Sequence, residues 1–247
     1  QDAYHRALNA IEKVVGDYSA ALALQLDPEM RADDATKVIF RRLLEIVRAN
    51  EAGVDADIDT EFLHEFRVAI RRTRSALSQI KKVFPPETTA KWKADFRTLG
   101  GFTNELRDLD VYLLSEHKYR ALLPESIQGD VAPHFAYLRA QRSRALKDVR
   151  AGLASAEYAR ILTEWEAFLS DAVVEQPEAP NAALSILTLA RQRMYKQYRE
   201  IVRDGNKILA NTEDELLHEL RIECKKLRYL LEFFTSLFPP EKMKLLI

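Results

Sequence analysis

The feature that most limits what this chain can fold into is a segment that occurs twice. Residues 62–87 align without a gap on 216–241, and ten of the 26 paired positions are identical. The matches are Leu63/Leu217, His64/His218, Glu65/Glu219, Arg67/Arg221, Arg74/Arg228, Leu77/Leu231, Phe84/Phe238, Pro85/Pro239, Pro86/Pro240 and Glu87/Glu241. Arg71/Lys225 and Arg72/Lys226 keep the charge at a spacing of 154 residues. Upstream, Glu45-Ile46-Val47-Arg48 returns as Glu200-Ile201-Val202-Arg203 at a spacing of 155, so the second connecting loop is one residue shorter. A repeat this long dictates architecture. The chain reads as one duplicated unit with its copies related by a pseudo-twofold.

The unit is helical. Apolar residues recur with a period near 3.6 over segments near 2–25, 35–52, 58–84, 86–120, 132–151, 155–173, 181–204 and 212–237, and no strand-length run alternates with period two. Only seven glycines occur in 247 residues, too few for a turn-rich β fold. The expected class is all-α, with residues 1–34 as an N-terminal helical extension and 35–247 as the repeated domain. Within it, 35–173 form the first repeat, 174–180 a linker and 181–247 a second repeat whose counterpart to 90–173 is missing. Each long helix is expected to start behind a cap, Asp57 in the first copy and Asn211 or Thr212 in the second, where Thr212-Glu213-Asp214-Glu215 fits a capping box. Each is expected to end at Phe-Pro-Pro-Glu, since the residue before a proline leaves the α region. At 1.5 Å per residue the helix near 58–84 would be about 40 Å long.

Charge is balanced in sum and segregated in place. The 37 basic and 38 acidic residues give a net charge of −1, which argues against a generic nucleic-acid binder. Yet six acids and no base fall between Glu51 and Glu65, followed by six bases and no acid from Arg67 to Lys82. Such segregation concentrates an anion on one surface of a nearly neutral molecule. At about 100° per residue, His64, Arg67, Arg71 and Arg74 form a stripe roughly 80° wide. Phe66, Ile70, Thr73, Ala76, Leu77, Ile80, Val83 and Phe84 fill the apolar arc. The second copy repeats the ladder with His218, Arg221, Lys225 and Arg228. If the pseudo-twofold brings the ladders together, they wall a groove suited to a linear polyanion.

Guanidiniums one turn apart grip successive phosphates through charge-assisted, bidentate hydrogen bonds, and a protonated histidine donates from both nitrogens. The paired positions Arg41/Lys196 and Arg48/Arg203 on the preceding helix are candidates for the same groove. Arg107 joins them from a later basic stretch that also holds Arg97, Arg139, Arg142, Arg144, Lys147 and Arg150. One such run alone is usually a solvated face paired with acids, and Glu65, Glu45 or Glu200 could supply the partners. The ladder's recurrence on the same face, while most solvent positions differ, shifts the balance toward a ligand.

Leu63-His64-Glu65-Phe66-Arg67-Val68-Ala69-Ile70-Arg71-Arg72-Thr73-Arg74-Ser75-Ala76-Leu77 resembles the signature of the conserved histidine α-helical domain (CHAD) family. Leu106-Arg107-Asp108-Leu109-Asp110-Val111 resembles the family's Arg-Asp-x-Asp-Val segment, and Leu153-Ala154-Ser155-Ala156-Glu157-Tyr158 its Leu-x-Ser segment. His218 to Arg228, followed by Tyr229-Leu230-Leu231-Glu232-Phe233-Phe234, resembles its second half. The resemblance spans roughly 35–247. It implies two four-helix bundles about a pseudo-twofold, the second incomplete here, with a basic central surface that binds inorganic polyphosphate, including polyphosphate granules. In the family a triphosphate-processing CYTH domain sometimes precedes the module.

Other functions fit less well. His64-Glu65 lacks the second histidine of a His-Glu-x-x-His zinc helix, and no glycine loop is placed to cradle a nucleotide. Asp108, Asp110 and His117 are the remaining candidate metal set, and two carboxylates two residues apart do not share a helix face. The expectation is a non-catalytic binder without metal or cofactor. Nucleic-acid binding, RNA in particular, would call for exposed aromatics; Phe66, Phe84, Trp92, Phe233 and Phe234 fall on the core arc, with Tyr195 and Tyr198 as the exception. A helical scaffold without an anion ligand is the remaining alternative. No apolar run approaches the ~18 residues needed to cross a bilayer. The single cysteine, Cys224, cannot form an internal disulfide, and no secretory leader pattern opens the chain, so a cytoplasmic location is expected.

Overall fold

The computed structural model describes residues 22–172, 177–209, 212–243 and 246. It is all-α: α1 (Ala32–Ala56), α2 (Thr60–Gln79), α3 (Pro86–Gly101), α4 (Asn104–Leu114), α5 (Glu116–Ala121), α6 (Ala132–Leu153), α7 (Ala156–Ser170), α8 (Ile186–Gly205), α9 (Asp214–Phe233) and α10 (Pro240–Met243). The only β feature among the described residues is an isolated bridge between Arg31 and Ser185. No helix among them is long and apolar enough to cross a membrane.

The described residues fall into two compact units whose division does not follow the repeat boundary. One gathers 45–70 and 95–165, the other 22–44, 71–94 and 166–247. In the first, Phe96 meets Trp165 edge-on with ring centroids 5.0 Å apart, among buried Phe66, Leu99, Val149, Ile161 and Leu162. In the second, Phe168 joins Phe84 at 5.2 Å and Trp92 at 5.5 Å, near buried Ile39, Phe40 and Leu43. The apolar arc expected on the first long helix is buried throughout, Phe66 to Phe84.

Helix ends differ from expectation for local reasons. The first long helix stops at Gln79, not at Phe84, so α2 is about 30 Å long. Lys82 takes a left-handed φ of 63°. The turn is held by Asn181, whose backbone N–H donates to the Lys82 carbonyl at 2.9 Å and whose Nδ2 donates to the Lys81 carbonyl at 2.8 Å. Its counterpart α9 likewise stops at Phe233, ahead of a 3₁₀ turn at Thr235–Leu237. A proline restrains only the residue before it, and here the turn comes first.

The segment expected as one helix over 86–120 is three. It breaks after Gly100-Gly101, poor helix formers, where the Thr103 hydroxyl donates to the Gly100 carbonyl at 2.9 Å, and again at Ser115. Of the segment expected as a helix over 2–25, residues 2–21 lie outside the described residues and Leu22–Gln25 are irregular. The segment expected from 181 starts at Ile186, behind the Ser185 cap.

The expected caps also shift. Asp57, at φ 53°, terminates α1 rather than starting α2. The start of α2 is served by Asp59, whose carboxylate accepts from the Glu61 N–H at 2.8 Å. The capping box at Thr212 does not form. Glu213 occupies the cap position without a side-chain bond, and the Thr212 hydroxyl accepts from the Leu209 N–H at 2.6 Å. Asn211 lies outside the described residues.

The tight approach of α1 to α2 within the first unit rests on Gly53. A Cβ built there would lie 2.2 Å from the Phe62 ring. Gly53→Ala is therefore expected to cost about 1–3 kcal/mol by overpacking, against a gain from helix propensity of at most ~1 kcal/mol. Urea denaturation would read this as a lower midpoint at unchanged slope, and a variant as stable as wild type would contradict the packing.

Candidate anion-binding face

The second ladder lies on α9 in one compact unit, and Arg71 and Arg74 on α2 belong to that same unit. His218, Arg221, Lys225, Arg228 and Arg71 are exposed, and Arg74 is half-buried. The Lys225 ammonium is pushed below the usual lysine range, first by partial desolvation and then by the charges of Arg221, Arg71 and Arg228. Arg71 and Lys225 are repeat-related positions. The structure thus brings repeat-equivalent cations from α2 and α9 into one another's field.

Carboxylates do not quench this group. Among the described residues, the side chains of Arg71, Arg74, His218, Arg221 and Lys225 make no hydrogen bond or ion pair. Arg228 comes 3.7 Å from Glu232 and lies over the Tyr229 ring. Arg72, between the ladder positions, is the neutralised one: its Nε and Nη2 donate to the Glu232 carboxylate at 3.2 and 2.9 Å.

The other expected site residues are more occupied. His64 and Arg67 belong to the first unit, where the Arg67 guanidinium donates to the Gly100 carbonyl at 3.2 Å and to the Thr103 hydroxyl. Arg67, expected in the ladder, thereby ties α2 to the break between α3 and α4. Arg48 pairs with Glu51 at 3.3 Å, and Arg107 is half-buried on α4. In the second unit Arg41 donates to the Leu169 carbonyl. Lys196 stands 3.9 Å from Glu200, and Arg203 bonds Asp204 through two nitrogens at 3.0 and 2.8 Å. Those bonds and one from Lys207 hold the Asp204 carboxyl well below the usual range.

Asp110 is buried against Arg142, while Asp108 and His117 are exposed. Glu61, His64 and Glu65 place one ligand atom each within 4.8 Å of one another, on a surface where such groups are common without an ion. Sequence reasoning missed three cations that the fold gathers elsewhere in the second unit: Lys81, Arg193 and Lys226. The available signal was the Lys81-Lys82 pair at the helix end and Arg193 one turn before Lys196.

The CHAD domain family model matches residues 38–247. A crystal structure of the CHAD domain from the plant Ricinus communis superposes with a TM-score of 0.75 at 25% identity, covering 93% of this chain and 74% of that one. PptA from Streptomyces chartreusis shares the fold at a TM-score of 0.61 and 14% identity, covering 85% and 78%. An uncharacterized protein of Mycobacterium tuberculosis (strain CDC 1551 / Oshkosh) is 26% identical over 206 residues, 82% of this chain. The match to strain ATCC 25618 / H37Rv has the same identity and extent. The chain spans about two fifths of the length of these curated relatives, 39% in each case.

Proposed function

The chain belongs to the CHAD domain family, and from that premise we propose that it binds inorganic polyphosphate without transforming it. Arg71 and Arg74 on one helix and His218, Arg221, Lys225 and Arg228 on the other, all in the second unit, grip successive phosphates. The observation that carries this reading is the lack of carboxylate partners at Arg71, Arg74, His218, Arg221 and Lys225 among the described residues. A scaffold without an anion ligand would place acids against these repeated cations. Like charges held together cost free energy that a bound polyanion returns. Arg41 and Arg203 contribute at most to the surrounding potential, because both already have protein partners.

The test is a titration with long-chain polyphosphate, with single-stranded RNA and ATP as competitors. Polyphosphate is expected to bind and RNA to compete poorly, because a polymer without bases needs no stacking platform. RNA that binds as tightly as polyphosphate would favour the nucleic-acid reading, for which the exposed Tyr195 and Tyr198 are the supporting feature. If about five cations neutralise phosphates at roughly −0.7 per charge, affinity should fall about 100-fold between ~50 and ~200 mM salt. A salt-independent affinity would contradict the clamp.

A further inference from the structure

The second unit also holds a cleft of about 670 Å³ bounded by α8, α9 and the turn after α2. None of the ladder residues lines it. We propose that this cleft is a second anion site, one that takes a compact phosphate-class oxyanion on Lys81, Arg193 and Lys196. Its volume falls within the ~300–1,000 Å³ of small-ligand pockets.

The three cations line the cleft together, with the Glu200 carboxylate acting on all three. Arg193 is half-buried, and its Nε donates to the Gln79 carbonyl at 2.7 Å. Its terminal amino groups have no other partner among the described residues, and neither has the Lys81 ammonium. Lys196 has only the long 3.9 Å approach of Glu200. Further along the cleft, Arg203 and Lys207 share Asp204, and Lys226 is paired with Glu223. Burial, followed by the charges of Arg193 and Lys196, pushes the Lys81 ammonium below the ordinary lysine range, with Glu200 opposing and Lys226 adding to the shift. Burial lowers Arg193 as well. Three cations with one carboxylate among them in a partly dry cleft are stabilised by an anion of matching charge.

The repeat supplies an internal control. Arg72 of the first copy is held by Glu232 of the second, in a cleft also lined by Leu22–Gln25, with the Leu26 N–H donating to the Ser236 hydroxyl at 3.1 Å. The repeat-related residues are Lys226 for Arg72, Ser78 for Glu232 and Lys81 for Thr235. Where one copy has a carboxylate, the other has a hydroxyl. Where one has a neutral threonine, the other has a lysine. The exchange removes the Glu232 carboxylate and adds the Lys81 ammonium, while Lys226 is paired with Glu223 instead.

The acids of the cleft set the ligand's size. Asp204, Glu219 and Glu223 line the rest of it, so an extended polyanion would meet carboxylates within a few phosphates. A free phosphate or pyrophosphate, or the terminal phosphate of a chain, meets three cations set against the Glu200 carboxylate. The guanidinium fork supplies bidentate geometry, and the two ammoniums supply charge.

Calorimetric titration with inorganic pyrophosphate would test the site, using wild type, Lys81→Gln, Lys81→Gln/Arg193→Gln and the ladder variant Arg71→Glu/Lys225→Glu. Pyrophosphate is expected to bind wild type and the ladder variant alike, and Lys81→Gln at least tenfold more weakly. The single variant guards against misfolding of the double. Pyrophosphate that binds Lys81→Gln as it binds wild type, that loses affinity chiefly in the ladder variant, or that fails to bind wild type would each overturn the proposal. Long-chain polyphosphate bound by the Lys81→Gln variant but not by the ladder variant separates this site from the proposed ladder function. If chain ends are the natural source, a short chain will displace pyrophosphate better than a long one at equal total phosphate.

Discussion

Replacing Arg71 and Lys225 together by glutamate is expected to weaken long-chain polyphosphate binding at least 100-fold. Each charge-assisted contact is worth about 1.5–3 kcal/mol, so losing two removes roughly 3 kcal/mol or more before the added repulsion is considered. The pair is chosen because the two positions are repeat-related, exposed and without ion-pair partners among the described residues. Arg67 would be a poorer choice, since its bonds to Gly100 and Thr103 would confound binding with stability. Circular dichroism should find the double variant folded. Unchanged affinity in a folded variant would return the ladders to solvated surface. The depressed Lys225 ammonium adds a pH signature. Binding favours the charged amine, so its contribution is present at neutral pH and is lost as pH rises toward the lysine range, earlier than for an ordinary lysine. Lys225→Arg should hold affinity to higher pH, and identical profiles for arginine and lysine would remove Lys225 from the contact.

What the sequence disclosed follows from what periodicity and repetition encode. The apolar arc from Phe66 to Phe84 is fixed by a 3.6-residue period, so its burial could be read residue by residue. The stripe of cations beside it was legible for the same reason. The partners of those cations were not, because pairing across 30 to 160 residues of separation leaves no local pattern. Arg67 with Thr103 and Arg72 with Glu232 are such pairs. The helix ends failed where a distant residue intervened, as Asn181 does at the Lys81-Lys82 turn. The Lys81, Arg193 and Lys226 cleft combines both obstacles, since three elements must meet before the charges are neighbours. Asp57 shows the same limit: as an aspartate before a helix it reads as a cap, yet it ends the previous helix and serves as an arginine ligand.

That arginine is Arg142, and removing it is expected to be among the most damaging single changes to the first unit. Its Nη1 and Nη2 donate to the two Asp57 oxygens at 2.8 and 2.6 Å, and its Nε donates to Asp110 Oδ1 at 2.7 Å. One guanidinium thus joins the α1–α2 turn, α4 and α6. Hydrogen bonding to Asp57 first, then to Asp110, holds it charged against the opposing effect of burial. The Asp110 side chain is only 1% exposed, and its Oδ2 has no partner among the described residues. Arg142→Met would leave that carboxylate buried beside Asp57 with no direct counter-ion, at a cost of about 3–5 kcal/mol near neutral pH. The dependence on pH has a definite sign. Burial already raises the Asp110 carboxyl above 3.8, against the lowering by Arg142, so the folded protein binds this proton more tightly than the unfolded chain does. Its contribution to stability therefore falls as pH rises through the interval above 3.8, and is constant beyond the folded value. Without Arg142 the interval widens upward, so the variant's deficit should grow from mildly acid to neutral pH. Adding Asp110→Leu should recover part of the loss, since exchanging a buried pair for apolar groups costs less than orphaning one member. Urea denaturation of wild type and both variants across that pH range measures all three effects. A deficit that does not vary with pH would show that Asp110 is not the group left uncompensated.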